Sequence, residues 1–219
     1  MCGRFTLTPP PAELAAQFEV PDPPILAARY NVAPSQMVAV VGLKPDGVRR
    51  GLALLKWGLV ANWSNDPVKG VKPINARADS VRFKFGEQFR EKRCLIPADG
   101  FYEWATVGGM KRASRFTLAD GGPFAFAGLW DRWHVEGQPP VKTTCLITTA
   151  ANEVVRPVHD RMPVILPVES YAEWLAPETP ERRLLALLAP LPAELMIARA
   201  VGPAVNSPRI DGPECIEAA

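Results

Sequence analysis

Twenty-four prolines are spread along the whole of this 219-residue chain. Proline lacks a backbone N–H and has a fixed φ, so it interrupts both helices and sheet ladders. The helices and strands are therefore expected to be short and the loops frequent. Hydrophobic residues make up 47% of the chain, which is enough to bury a substantial core and argues against an intrinsically disordered protein.

Segments with a strand-like composition outnumber those with a helical one. The predicted strands are 37–43, 51–57, 115–118, 124–130, 143–149 and 194–200. The predicted helices are 10–18, 80–90, 168–175 and 180–188. Because there is no regular strand–helix–strand alternation, we predict an α+β fold with a mainly antiparallel sheet or barrel and peripheral helices. No shift in composition marks a boundary, so residues 1–219 are expected to form a single compact domain.

The four cysteines are widely spaced, which argues against a metal site. None forms a CxxC pair, and His134 and His159 do not complete a zinc-finger spacing. Cys94 and Cys145 lie in apolar runs and are predicted to be small buried hydrophobes. Neither a metal nor an organic cofactor is expected, since the sequence has no P-loop and no GxGxxG motif.

Composition also limits where the protein acts. No segment approaches the ~20 apolar residues that span a membrane, and the first residues, MCGRFTLTPPP, do not form a signal peptide. We therefore expect a soluble, cytoplasmic monomer, associated with the nucleoid in a bacterium, with no membrane partner. The formal net charge of +2 does not by itself indicate a nucleic-acid-binding protein.

Cys2 is the residue with the most unusual chemistry. Because cysteine is small, removal of Met1 is expected, and Cys2 then carries an amine and a thiol on adjacent carbons. The amine titrates near ~7.7–8.0 and the thiol near ~8.5, so both have reactive fractions at neutral pH. Such a pair condenses with an aldehyde to a Schiff base, which the thiolate closes into a thiazolidine ring. Taken alone, Cys2 is more simply explained as an ordinary residue of a terminus.

Three further polar residues are candidates for the same chemistry. Glu103 lies between Tyr102 and Trp104, and partial burial among aromatic rings would raise its pKa toward values useful for proton transfer. His159 is followed by a carboxylate and is a candidate general acid or base. Asn75 can orient an amine or a carbonyl group. A surface glutamate and a turn asparagine are equally good local interpretations.

Arginines accompany the candidate residues along the sequence. Arg4, Arg77 and Arg161 each lie within two residues of one of them, so the arginines would form a phosphate-binding rim if the candidates meet in space. Trp57 and Trp63 lie on either side of residues 58–62. Both could stack on bases, although core packing is the commoner use of tryptophan.

Seven sequence blocks together resemble the SOS response-associated peptidase (SRAP) family, in family order and over nearly the whole chain. The blocks are MCGRF at the start, RYNVAPSQ at 29–36, KWGLVANW at 56–63, PINARADS at 73–80, RCLIPADGFYEW at 93–104, HDRMPVIL at 159–166 and AVNSPRIDGPECIE at 204–217. The resemblance implies one α+β domain built round an antiparallel, barrel-like sheet. It also implies a sensor of abasic sites in single-stranded DNA that is cross-linked to the lesion as a thiazolidine and shields it.

The resemblance also implies roles for individual residues. Cys2 would be the nucleophile after Met1 is removed, and Asn75 would hold this terminal residue and the opened sugar. Glu103 would transfer protons during Schiff-base and ring formation. His159 would assist opening of the sugar ring and reversal of the cross-link. If ring closure fails, the Schiff base can undergo β-elimination, which is a lyase activity.

The DNA contacts follow from the same resemblance. Arg77 and Arg161 would bind the phosphates that flank the lesion, with Arg4 as a further contact. Some relatives carry two adjacent aromatics where this chain has Asn62 followed by Trp63, so a base wedge would consist of Trp63 alone. An insert at 64–71 would reshape the DNA channel.

Two other functions fit the same residues. In the first, the protein is a thiol peptidase in which autoproteolysis exposes Cys2, and the histidine and glutamate assist hydrolysis of peptides. In the second, it is a non-catalytic single-stranded DNA-binding module whose arginines and tryptophans are the functional surface, and Cys2 is incidental.

Overall fold

The computed structural model describes residues 2–61, 72–134, 137 and 139–219. Within these ranges the strands are β1 (Phe5–Leu7), β2 (Arg29–Val32), β3 (Met37–Leu43), β4 (Arg50–Trp57), β5 (Asn75–Arg77), β6 (Arg93–Ala98), β7 (Gly100–Val107), β8 (Met110–Leu118), β9 (Phe124–Trp133), β10 (Val141–Ala150), β11 (Arg161–Pro163), β12 (Ile165–Leu166) and β13 (Met196–Val201). The α-helices are α1 (Pro11–Phe18), α2 (Val81–Lys84), α3 (Gly86–Glu91), α4 (Tyr171–Leu175) and α5 (Glu181–Ala186). In the described ranges, none of these helices has the length and apolar character needed to cross a membrane.

Five strands pair in a closed ring. β4 pairs with β3, β3 with β6, β6 with β9 and β9 with β10, all antiparallel, and β10 returns to β4 in a parallel pairing. Closure removes the free edges that an open sheet would expose. β5 and β11 add to β10, and β12 adds to β9. The predicted antiparallel, barrel-like sheet is therefore confirmed.

A second sheet carries the N-terminus. Its order is β13-β8-β7-β1-β2, and every pairing in it is antiparallel. β1 pairs with β7 through Phe5 opposite Phe101 and Thr6 opposite Gly100. This register places the residues before β1 beside Tyr102 and Glu103 of β7.

Strand alternation divides the core between the inside of the barrel and its helix-covered outer face. The inner cluster includes Val40, Leu55 and Ile96, and it continues onto the second sheet. The outer cluster consists of the alternate residues of the same strands, which pack against the helices. The helices are thus peripheral, as predicted. Cys94 and Cys145 are both fully buried, which confirms their predicted packing role.

Several sequence-based boundaries differ from the structure. The helix predicted at 80–90 is two short helices, because the chain leaves helical geometry at Phe85, with φ −133° and ψ 37°. The segment 168–175 begins as a 3-10 turn, Val168–Ser170, before α4. Strands β6 and β7 were missed, because Pro97 and the Asp99–Gly100 step resemble loop residues, although the neighbouring strands pair with both segments.

Gly128 is a position where the barrel interior has no room for a side chain. A Cβ added there would lie 2.8 Å from Cδ1 of Ile96 and 2.9 Å from Sγ of Cys94. We expect Gly128→Ala to lower the free energy of unfolding by about 1–3 kcal/mol, because overpacking displaces both side chains. Gly42 is the matched control, since it is also in a barrel strand and nothing lies within 4 Å of its added Cβ. Urea unfolding curves that coincide for Gly128→Ala and Gly42→Ala would contradict this packing.

Candidate active site

Cys2 is held at the junction of the two sheets. Its backbone carbonyl accepts a hydrogen bond of 2.9 Å from Nδ2 of Asn75, at the start of β5. The backbone N–H of Tyr102 in β7 donates to the carbonyl of Arg4 at 3.0 Å. The N-terminal segment is thus fixed to the barrel on one side and to the second sheet on the other.

The thiol of Cys2 lies in an apolar, buried position. Its side chain is fully buried, and Sγ donates to the backbone carbonyl of Arg4 at 3.7 Å. Burial, and to a lesser degree the nearby Glu103 carboxylate, raises the pKa of the Cys2 thiol well above its usual range. This direction applies to the chain with Met1 attached, in which the Cys2 nitrogen is an amide. The thiol of a Cys2 that carries a free amine after Met1 removal stays a sequence-based prediction.

Asn75 is oriented by the barrel and has acceptor capacity to spare. It pairs with Leu146 in the parallel β5–β10 ladder, which fixes its backbone. Its Nδ2 is used by the carbonyl of Cys2, whereas its buried Oδ1 has no hydrogen-bond partner among the described residues. A buried acceptor without a partner costs free energy. Asn75 therefore presents an acceptor to the space around Cys2, as expected for a residue that holds an amine or a hydroxyl group.

Glu103 is a buried carboxyl group on β7, with only 4% of its surface exposed. The register that pairs Phe5 with Phe101, continued by two residues, sets Glu103 beside Gly3. Burial raises the pKa of Glu103 above its ordinary value, and the neighbouring His159 partly opposes this effect. A carboxyl group in this setting keeps its proton to higher pH than a free glutamate and can act as a general acid.

His159 follows a turn and lies two residues before the start of β11. Its Nδ1 accepts a hydrogen bond of 3.0 Å from the backbone N–H of Arg161 and lies 2.9 Å from Oδ1 of Asp160. One nitrogen cannot serve both contacts, because the first requires a lone pair and the second a proton. The neutral ring accepts from Arg161 and carries its proton on Nε2. The protonated ring gives up that bond and pairs with Asp160.

The four candidate catalytic residues are thus in one place. A hydrogen bond joins Cys2 and Asn75, and electrostatic interactions connect Glu103 with both Cys2 and His159. They come from four separate parts of the sequence and meet because β1 pairs with β7 and β5 pairs with β10.

Arg77 and Arg161 lie together at the rim and share Asp79. The exposed Arg77 pairs with Asp79 at 2.6 Å, and Nη1 of Arg161 is 3.9 Å from the same carboxylate. Arg161 is largely buried and also donates to Thr148. The Arg77 guanidinium lowers the pKa of Asp79 to about 2. An exposed ion pair of this kind is weak, so a phosphate can replace Asp79 between the two arginines.

Arg4 has a different environment from the other two arginines. Its Nη1 donates to Oδ1 of Asn31 at 2.8 Å and to the carbonyl of Val205 at 2.9 Å. Its Cζ lies 5.8 Å from the ring centroid of Trp104. These contacts anchor the N-terminal segment, and a DNA contact for Arg4 stays a prediction.

A cleft of about 590 Å³ lies beside the two residues that follow Cys2 in the sequence. It is lined by Gly3, Arg4, Pro34, Trp104, Lys111 and Asn206. Within it, Nε1 of Trp104 donates to Oδ1 of Asn206 at 2.7 Å, which fixes the orientation of the indole. Charge in the lining is entirely cationic, so this cleft suits a polyanion.

For Trp57 the structure selects core packing over base stacking, the two alternatives that the sequence left open. Trp57 is 1% exposed and its Nε1 donates to the carbonyl of Ile74, so base stacking is excluded for it. Trp63 and the insert at 64–71 lie outside the described residues. Trp104 and Asp79 were missed as site residues. Their only sequence signal was adjacency to Glu103 and Arg77, which does not show where a side chain points.

Among the described residues, no group of three or more His, Cys, Asp and Glu side chains is arranged to hold a metal ion. The candidate catalytic residues bring together a thiol, an amide, a carboxyl group and an imidazole.

Comparisons with known proteins identify the family of this chain. The family model described as SOS response associated peptidase (SRAP) matches residues 1–208. The abasic site processing protein YoqW of Bacillus subtilis is 41% identical over 225 residues, which cover 99% of both chains. The abasic site processing protein HMCES of Gallus gallus is 34% identical over 198 residues, which cover 78% of this chain and 58% of that protein.

Solved structures share the fold. A crystal structure of a protein from Bacteroides thetaiotaomicron matches with a TM-score of 0.90 and 25% identity, covering the whole of both chains. A protein from Bordetella bronchiseptica matches with a TM-score of 0.77 and 26% identity, covering 92% of this chain and 100% of that one. The match of the family model over nearly the full length, together with the 41% identity to YoqW, shows that this chain belongs to the SOS response associated peptidase family.

Proposed function

We propose that this protein senses abasic sites in single-stranded DNA and captures their aldehyde as a covalent thiazolidine through Cys2. The observation that carries the proposal is the position of Cys2, whose carbonyl is held by Asn75 beside a buried Glu103. The names of the relatives, abasic site processing proteins, support the substrate.

Removal of Met1 precedes capture in this proposal. An amide nitrogen is not a nucleophile, whereas the free amine of Cys2 is. The hydrogen bond from Asn75 is made to the carbonyl of Cys2 and not to its nitrogen, so it survives the loss of Met1. The unpartnered Oδ1 of Asn75 is then available to accept from the new amine.

Capture begins with the closed form of the abasic sugar. A proton donor opens the closed sugar to its aldehyde form, and the Cys2 amine attacks C1′. Loss of one water leaves a Schiff base. The thiol then adds to the C=N bond, so that sulfur bonds to C1′ and its proton moves to nitrogen. Because burial disfavours the thiolate, the amine acts first and the thiol closes the ring.

Glu103 and His159 have complementary parts in this scheme. The raised pKa of Glu103 suits a group that protonates the ring oxygen and the departing water. His159 carries a proton on Nε2 when neutral and assists ring opening and reversal. If sulfur does not close the ring, the Schiff base loses the 3′ phosphate by β-elimination, which gives a secondary lyase activity.

The DNA path follows from the cationic rim and the cleft. Phosphates on either side of the lesion would replace Asp79 between Arg77 and Arg161. The strand would continue into the cleft beside Trp104, where a base can stack on the indole. Such contacts require a flexible DNA backbone and no double-helical groove. They therefore favour single-stranded DNA and depend little on the base sequence.

The peptidase activity in the family description has a candidate substrate at the same site. The Met1–Cys2 peptide bond adjoins the Cys2 thiol directly. We propose that any peptidase activity of this chain is limited to that bond, so that processing and cross-linking use one site.

The substitution Cys2→Ser separates the two bond-forming steps. Serine keeps the amine after Met1 removal but has no thiol, so we expect a Schiff base and no thiazolidine. A radiolabelled single-stranded abasic oligonucleotide should give a heat-stable adduct with the unsubstituted protein. With Cys2→Ser, the adduct should survive a denaturing gel only after borohydride reduction.

Two controls make this experiment decisive. Cys215→Ser alters a buried cysteine that packs in a different hydrophobic cluster from Cys2, and this variant should cross-link normally. An intact oligonucleotide without the lesion should give no adduct. A full yield of heat-stable adduct from Cys2→Ser would overturn the proposal. Equal binding of intact and abasic strands with no adduct from any variant would instead favour a non-catalytic DNA-binding module.

Glu103→Gln tests the proton transfer. The amide cannot donate a proton, so we expect the cross-linking rate to fall by about 10²–10⁴. In the unsubstituted protein the rate should rise with pH as the amine loses its proton and then fall as Glu103 loses its own. The variant should keep only the rising limb. Rates measured between pH 5 and 9, with unchanged melting temperature, check this, and an unaltered bell-shaped profile would rule out Glu103 as the acid.

A further inference from the structure

The barrel has an opening at the end away from Cys2. A cavity of about 480 Å³ lies there, at the end of β3 and the starts of β4, β6 and β10. From Lys142 at this opening to Leu146, which pairs with Asn75, β10 runs four residues, which is about 13 Å at the rise of a strand. The cavity is therefore separate from the candidate active site.

Inward-facing apolar side chains form the floor of the cavity. They include Val40, Leu55 and Cys94, each at most 4% exposed, together with the half-buried Trp130. Ala53 lies nearer the opening on the same face of β4 as Leu55, since side chains alternate along a strand.

A pair of glycines keeps the opening clear. Gly42 and Gly51 are opposite each other in the β3–β4 ladder. No atom lies within 4 Å of a Cβ added to Gly42, so space remains above it. At Gly51 the stem of Lys44 crosses the strand, with Cε 3.1 Å from an added Cβ.

The charges at the opening have one sign. Lys44 and Lys142 contribute two ammonium groups, and no Asp or Glu is among the described residues that line the cavity. An apolar cavity with two cations in its lining matches a molecule with an apolar chain and one anionic end. Burial of the chain supplies affinity, and the ammonium groups fix its direction.

We propose that this opening, the barrel mouth, binds a free medium-chain aliphatic carboxylate. The chain would occupy the apolar floor and the carboxylate would lie between Lys44 and Lys142. The site goes beyond the DNA chemistry proposed above and does not depend on it.

Calorimetric titration with three eight-carbon probes tests the charge. We expect sodium octanoate to bind at one site per chain, about tenfold more tightly than 1-octanol, since a charge-assisted contact contributes about this factor. Octylamine should bind more weakly still. Absence of octanoate binding, or octanoate binding no tighter than octanol, would refute the site.

Two pairs of variants test the location. Ala53→Phe fills the mouth and should abolish octanoate binding, whereas Leu54→Phe on the outward face of the same strand should not.

The double variant K44Q/K142Q should reduce octanoate affinity about tenfold, to the level of octanol, and Lys56→Gln should leave it unchanged. Because the lysines are at the surface, the double variant decides the matter even if Ala53→Phe does not fold. Octanoate affinity that is unchanged in K44Q/K142Q would contradict the proposal. All four variants should cross-link abasic DNA normally.

Discussion

The hydrogen bond from Nδ2 of Asn75 to the carbonyl of Cys2 connects an N-terminal segment to a closed barrel. A terminal residue is ordinarily among the least ordered parts of a domain. Here the pairing of β1 with β7 and of β5 with β10 brings both partners of this bond to fixed positions. The nearby Glu103 and His159 therefore lie close to a Cys2 whose position is fixed. A reaction with a scarce open aldehyde depends on such prior positioning, because it raises the effective concentration of the reacting groups.

Burial sets the order of the proposed chemistry. Glu103 and the Cys2 thiol are both removed from water, and burial disfavours the charged form of each. A protonated carboxyl group can act as an acid. A protonated thiol is a poor nucleophile, so in the proposed order it reacts only after the amine has formed the Schiff base. The exposed rim behaves in the opposite way, since Arg77 and Asp79 are charged and accessible to phosphate. In the proposed function, bond formation takes place at the buried centre of the site and DNA binds at its exposed rim.

Much of this could be predicted from the sequence, for identifiable reasons. Strand composition identified β3, β4, β9 and β10, and the N-terminal position of Cys2 pointed to aminothiol chemistry without any structure. The closure of the barrel and the β1–β7 register could not be predicted, because they depend on pairings between residues far apart in the chain. The full burial of Trp57 and the partial exposure of Trp104 depend on those pairings too. The raised pKa of the Cys2 thiol is likewise a property of packing and not of the residue.

Intact mass spectrometry tests the central claim most directly. Protein that lacks Met1 is mixed with a single-stranded oligonucleotide containing one abasic site. Capture by the amine and thiol of Cys2 predicts one new species, with the mass of protein plus oligonucleotide minus one water, and no such species from protein that retains Met1. An adduct that forms equally well with Met1 in place, or no covalent species at all, would contradict it.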